Sequence, residues 1–277
     1  MRAISTVFDV SLCLLLISAS VFVLVGVKPP DSSIRTRTAE STANVLTTST
    51  AEVNYTIPTN TGRIRRTTHG SLAGLLGEAV LANTTVRGGE LSHTTDPFER
   101  RVARRVRERL DHSSGVQLLV RWMPYRDAHL EGQFVVGESP PPRVDVHAAV
   151  VSLPSGLPPV RERAIDAARH DGYRGVASVV AAAVVAGMVP ERTTRLALSD
   201  RETSSAVGLR LRRLAHLYDV DVSNTHLLAS ERTRASLVDA VTNAIEDDLQ
   251  TTFETPTDAA RSVSIGETRL VVRTWDA

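Results

Sequence analysis

Val10 to Val27 is an apolar run of 18 residues with no charged side chain. As a helix it spans roughly 27 Å, about one bilayer hydrocarbon core. Arg2 is the one basic residue before it, and Pro29-Pro30 closes it, because proline cannot continue a helix. Residues 4–27 are therefore expected to form a transmembrane helix that tethers a mixed, polar body to the lipid bilayer. A cleaved secretory signal would need a short apolar core ending in a small-x-small site. Ser18-Ala19-Ser20 has that form, but Val21-Phe22-Val23-Leu24-Val25 follows it. Cutting there would leave an apolar new terminus, so a retained anchor fits better.

Beyond the anchor, about 200 residues are available for one domain. The formal net charge is +1, which excludes a global attraction to nucleic acid. Of the 32 basic residues, Lys28 is the single lysine. Cys13 is the single cysteine and sits in the apolar run, so no disulfide can form within the chain and the body must rely on its own core. Leu12 before it is too large for a lipoprotein cleavage site, which leaves Cys13 as a membrane-buried thiol.

The opening Arg2-Ala3-Ile4-Ser5-Thr6-Val7 resembles the start of archaeal type IV pilin-like proteins, where a basic and a small residue precede the cut and the apolar helix follows. The resemblance implies prepilin-peptidase cleavage between Ala3 and Ile4. Ala3 stands where such leaders usually carry glycine, and the nearest acidic residue is Asp9. The lysine avoidance is similar to that of extreme halophiles, without their acidic surface. The chain also resembles haloarchaeal membrane-anchored pilin-like proteins in Asn54-Tyr55-Thr56 and in Val271-Val272-Arg273-Thr274-Trp275. That family has no activity to carry over. Lys28, Arg35 and Arg37 follow the apolar run, so positive-inside counting alone favours a cytoplasmic body. Pilin-like processing instead implies a cell-membrane, single-pass protein with its globular domain outside, the orientation expected here. Asn54-Tyr55-Thr56 and Asn83-Thr84-Thr85 are sequons, which makes Asn54 and Asn83 candidate N-glycosylation sites there.

Residues 28–66 read as a Thr/Ser-rich linker, with too few large apolar side chains to offset the entropy of ordering. Within it, Val53, Tyr55 and Ile57 alternate with polar residues and suggest a strand able to join the main sheet. Residues 67–277 read as the domain. Helices are expected over Ser71–Ala82, Asp96–Leu110, Val160–Arg169, Gly175–Val189, Ser199–Tyr218 and Ala229–Thr251. Strands are expected over Val116–Met123, Gln133–Val136 and Val144–Val151, with a closing β-turn-β pair at Val263–Ile265 and Thr268–Trp275. Gly175–Val189 is almost wholly apolar, but at 15 residues it suits a buried core helix better than a second span. The order of elements argues an α+β fold: a helix-rich domain around a small, mostly antiparallel sheet.

The run Glu99–Arg109 places Arg100, Arg101, Arg104 and Arg105 on the polar side of a helix that buries Val102 and Val106. Such a row can contact an anionic surface, or simply be a solvated face. No aromatics interleave with it, so no nucleic acid is expected as a partner. Asp127 with His129, and Asp145 with His147, are too sparse for a metal site, and no Cys–His spacing appears. Gly-x-Ser-x-Gly and phosphate-cradling motifs are absent, and Ser71 reads as a helix cap. No catalytic, metal or cofactor residue is therefore assigned. The sequence reads as a membrane-anchored, non-catalytic pilin-like or accessory component of an archaeal cell-surface or secretion apparatus. Its expected partners are the bilayer through residues 4–27 and other pilin-like membrane subunits. The alternative is a membrane-surface binding module using the arginine-rich helix 99–110.

Overall fold

A computed structural model describes residues 32–59, 62–91, 96–110, 115–200, 204–221 and 230–276. The expected leader site at Ala3–Ile4, the membrane helix 4–27 and Cys13 lie outside the described residues. In chain order the elements are α1 (Ser32–Thr48), β1 (Thr50–Thr59), β2 (Gly62–Ser71), α2 (Leu72–Ala82), β3 (Thr84–Val86), β4 (Gly89–Glu90), α3 (Asp96–Leu110), β5 (Val116–Trp122), β6 (Leu130–Val136), β7 (His147–Pro154), α4 (Arg161–Met188), α5 (Glu191–Ser199), α6 (Ser204–Leu217), α7 (Glu231–Thr252), α8 (Pro256–Ser262) and β8 (Glu267–Thr274). The fold is α+β, as expected.

Six strands form an antiparallel sheet in the order β4-β3-β6-β5-β8-β7. Side chains alternate across it as the pleat requires. Leu118, Val120 and Trp122 of β5 lie on one face, in register with Leu270 and Val272 of β8, and all are fully buried. Arg121, Gln133, Arg269 and Ser152 lie on the opposite face and are exposed. One side of the sheet therefore carries the core. α2 packs there on β5, β6 and β7, and α1 on β7 and β8. Gly132 of β6 permits the close approach of α2, since a Cβ there would sit 2.3 Å from the Val80 carbonyl oxygen. The closing β-turn-β expectation is corrected: residues 263–266 are not a strand, and β8 inserts alone between β5 and β7. Its alternating Leu270 and Val272 suit an interior position.

Residues 28–66 are also corrected. From Ser32 onward this stretch is the helix α1 and most of a β-hairpin, not an open linker. Ala39, Ala43, Leu46 and Val53 belong to the same core as the sheet. Small alanines let α1 lie close to β7 and β8, so few large side chains suffice. Its threonines return hydroxyls to the helix's own carbonyls: Thr42 Oγ1 donates to Thr38 O (2.9 Å) and Thr48 Oγ1 to Asn44 O (2.7 Å). β1 is the strand its alternation suggests, but it pairs with β2 in a separate hairpin instead of joining the sheet.

The second half of the chain is helical. α4 contains a break at Gly172 (φ 61°, ψ −141°), which separates the two helices expected from the sequence. Val176, Val180 and Val184 beyond the break are buried against α7 and the sheet core. Among the described residues no helix is long and apolar enough to cross a membrane. The helix expected over Ser199–Tyr218 is α6, which begins later, at Ser204; Ser199 instead ends the separate helix α5, with Asp200 as its C-cap.

Candidate functional site

α3 presents the arginine row on its solvent side while Phe98, Val102, Ala103 and Val106 are buried. Phe98 holds the helix on the hairpin by packing on Tyr55, with ring centroids 5.0 Å apart. Arg100 is 3.8 Å from Asp96, and Arg105 donates to Glu108 at 2.9 Å. Both pairs are exposed one turn apart on the same helix and contribute only tenths of a kcal/mol. Arg101, Arg104 and Arg107 are exposed and have no ion pair among the described residues. The hairpin adds Arg63, Arg65 and Arg66, all exposed. Arg66 faces Tyr55 in register and so lies on the α3 side of the hairpin, while Arg63 and Arg65 lie on its other side. The arginine set is thus larger than the α3 row alone.

The two sequon asparagines sit in different environments. Asn54 is exposed on the outer face of β1, where its amide donates to Glu52 Oε1 (2.7 Å) and accepts from Thr67 Oγ1 (2.6 Å). Asn83 caps α2 and its Nδ2 donates to the Gln133 carbonyl oxygen at 2.8 Å. Ser71 does cap α2, accepting from the Gly74 N–H at 3.0 Å.

The structure also brings together a group that sequence reading missed. Asp248, on α7 and only 10 % exposed, reaches the β5–β6 connection. Its Oδ2 accepts from the Tyr125 hydroxyl at 3.0 Å and from the His129 N–H at 3.4 Å, and its Oδ1 meets His129 Nδ1. Tyr125 is fully buried. Burial, together with the neighbouring Asp248 carboxylate, pushes the Tyr125 hydroxyl well above the usual tyrosine range. Burial and Asp248 do the same to Tyr218, against a smaller opposing effect of Arg87. His129 therefore pairs with a residue 119 positions away and not with Asp127, beside it in sequence. Nothing in its immediate sequence signals this.

An aspartate orienting a histidine is half of a general-base arrangement. Among the described residues no hydroxyl or thiol nucleophile hydrogen-bonds the other ring nitrogen of His129, and its side chain is 61 % exposed. The cluster ties α7 to the β5–β6 connection. No group of three or more His, Cys, Asp or Glu side chains able to hold a metal occurs among the described residues. Asp145 lies outside β7, and His147 Nε2 is buried without a hydrogen-bond partner.

Fold and surface together define an α+β domain with a one-sided antiparallel sheet and an exposed arginine-rich flank. The chain belongs to the family of unknown function DUF7284, whose model matches residues 8–275. No curated protein and no solved structure matches it.

Proposed function

We propose that this protein is a membrane-anchored, non-catalytic component of a cell-surface or secretion apparatus, with a pilin-like N-terminus. The observation that carries this reading is α1, which starts five residues after the apolar run and packs directly on β7 and β8. A segment expected to span the bilayer would thus be joined to the sheet by a packed helix. The arrangement suits a part held at a fixed place more than a freely moving catalyst. The pilin-like start adds the expectation that Ala3–Ile4 is cut and that partner subunits share the membrane. Mass spectrometry of the protein from cells with an active prepilin peptidase tests this. A mature chain beginning at Ile4 is expected, and intact Met1 would remove the pilin-like element.

A second reading is favoured by one hairpin arginine. Arg66, on the α3 side of the hairpin, adds an exposed cation to Arg101, Arg104 and Arg107 of the neighbouring helix, which supports contact between this flank and an anionic lipid surface.

A further inference from the structure

The six-stranded sheet ends at β7, and among the described residues no strand pairs with its outer edge. Free edges invite pairing with another chain, and folded proteins blunt them with charge, proline or shortness. The other free strands here do so. β4, at the far end of the sheet, is only Gly89–Glu90, β1 carries Glu52 and Pro58, and β2 carries Arg63, Arg65 and Arg66. From His147 to Leu153, β7 has no acidic side chain, lysine, arginine or proline, and it keeps an unbroken register with β8.

Both faces of β7 are apolar and incompletely covered. On the bare face of the sheet, Val150 is 60 % exposed and ends a row that runs in register through Val135, Leu119 and Val271. On the core face, Ala149 and Val151 are only half-buried, while Val272 and Leu270 beside them are fully buried. One more strand on this edge would lengthen the row and cover the rim of the core.

A second copy of the same strand fits there. Antiparallel pairing about a two-fold axis at right angles to the sheet keeps both bare faces on one side, so residues of equal parity must lie opposite. Val150 opposite itself extends the apolar row without a step. Ala148 then meets Ser152, and Ala149 meets Val151, of the other copy. The same register carries the second copy's Val146 to Pro154 and its Asp145 one position further. There a groove of about 600 Å³ opens beside Leu153, lined by Pro159, Val160 and Ile265 with the exposed Arg161 and Arg163. Val146 is 40 % exposed, and Asp145 is also exposed. An apolar side chain and a carboxylate thus arrive at an apolar wall and two guanidiniums.

We propose that two copies of this chain pair through antiparallel β7 strands about a two-fold axis at Val150, joining their sheets into one, with Asp145 of each copy meeting Arg161 and Arg163 of the other.

The test is sedimentation equilibrium of the full-length protein in density-matched detergent solution, followed by cysteine cross-linking. The wild-type chain should dimerise. Val150→Lys sets two ammonium groups opposite each other at an exposed position and should raise the dissociation constant about tenfold or more. For cross-linking, Cys13→Ser removes the native thiol. Val150→Cys in that background should give a disulfide-linked dimer on mild oxidation, because directly opposite Cα atoms lie roughly 4.5–5.5 Å apart, within disulfide range. Ser152→Cys should not, because its two copies are roughly 13 Å apart along the strands. None of these readouts depends on cleavage at Ala3–Ile4 or on lipid contact by α3. A monomer at every protein concentration, a dimer unaffected by Val150→Lys, no cross-link from Val150→Cys, or equal cross-linking from Ser152→Cys would each overturn the proposal.

Discussion

Gly172 shows how much of this molecule turns on single backbone positions. At φ 61° and ψ −141° it lies close to a region that side chains with a Cβ avoid, and it lets α4 change direction. Space is not the constraint, because the nearest atom to an added Cβ is Pro256 Cγ at 3.9 Å. Gly172→Ala should therefore cost about 1–3 kcal/mol through backbone strain alone. A lowered urea midpoint at unchanged slope would show it. The tyrosines around Asp248 make a pH prediction. Tyr125 and Tyr218 hold their protons more tightly folded than unfolded. Above the unfolded tyrosine value of about 10, the unfolded chain loses protons that the folded chain keeps. Their contribution is thus fully present below that pH and declines as pH rises beyond it. In an alkaline titration of phenolate absorbance, Tyr125 and Tyr218 should ionise only as the fold is lost. Early, reversible ionisation of all 4 tyrosines in the native protein would contradict this.

At the scale of elements, the folding unit reaches back to α1. A chain starting at residue 67 would lack α1 and β1 and would begin inside β2, losing Ala39, Ala43, Leu46 and Val53 from the core. Residues 32–277 should melt cooperatively. Residues 67–277 should melt at much lower temperature or without a sharp transition, and circular dichroism on heating distinguishes the two. What could be read in the sequence follows from range. Periodicity within one element is local, so α2, α3 and α7 appear close to where expected, as does the run Leu118, Val120, Trp122. Composition misleads at α1, because threonine and alanine look like linker until the sheet beneath supplies the missing apolar contact. Pairing is non-local. Neither the central place of β8 nor the His129–Asp248 contact follows from neighbouring residues. The arginine row was legible because a helix repeats it every turn.

For the whole molecule, charge distribution matters more than net charge. The +1 total conceals a flank where the exposed arginines of α3 are joined by Arg66 of the hairpin. Replacing Arg100, Arg101, Arg104 and Arg105 with Gln should reduce sedimentation of residues 32–277 with vesicles rich in anionic lipid. Each removed charge should weaken binding by about 1 kcal/mol where it sits near the surface, and raised salt should have the same effect on the unaltered protein. Sedimentation insensitive to both changes would return the arginines to an ordinary solvated role. The packing of α1 has a mechanical consequence. A free linker of 39 residues would act as a soft spring with an average reach of roughly 35 Å. In its place stands a rod of 17 residues seated on β7 and β8, roughly 25 Å long. A pull applied at Ser32 finds almost no slack to take up, and tension passes straight into the sheet.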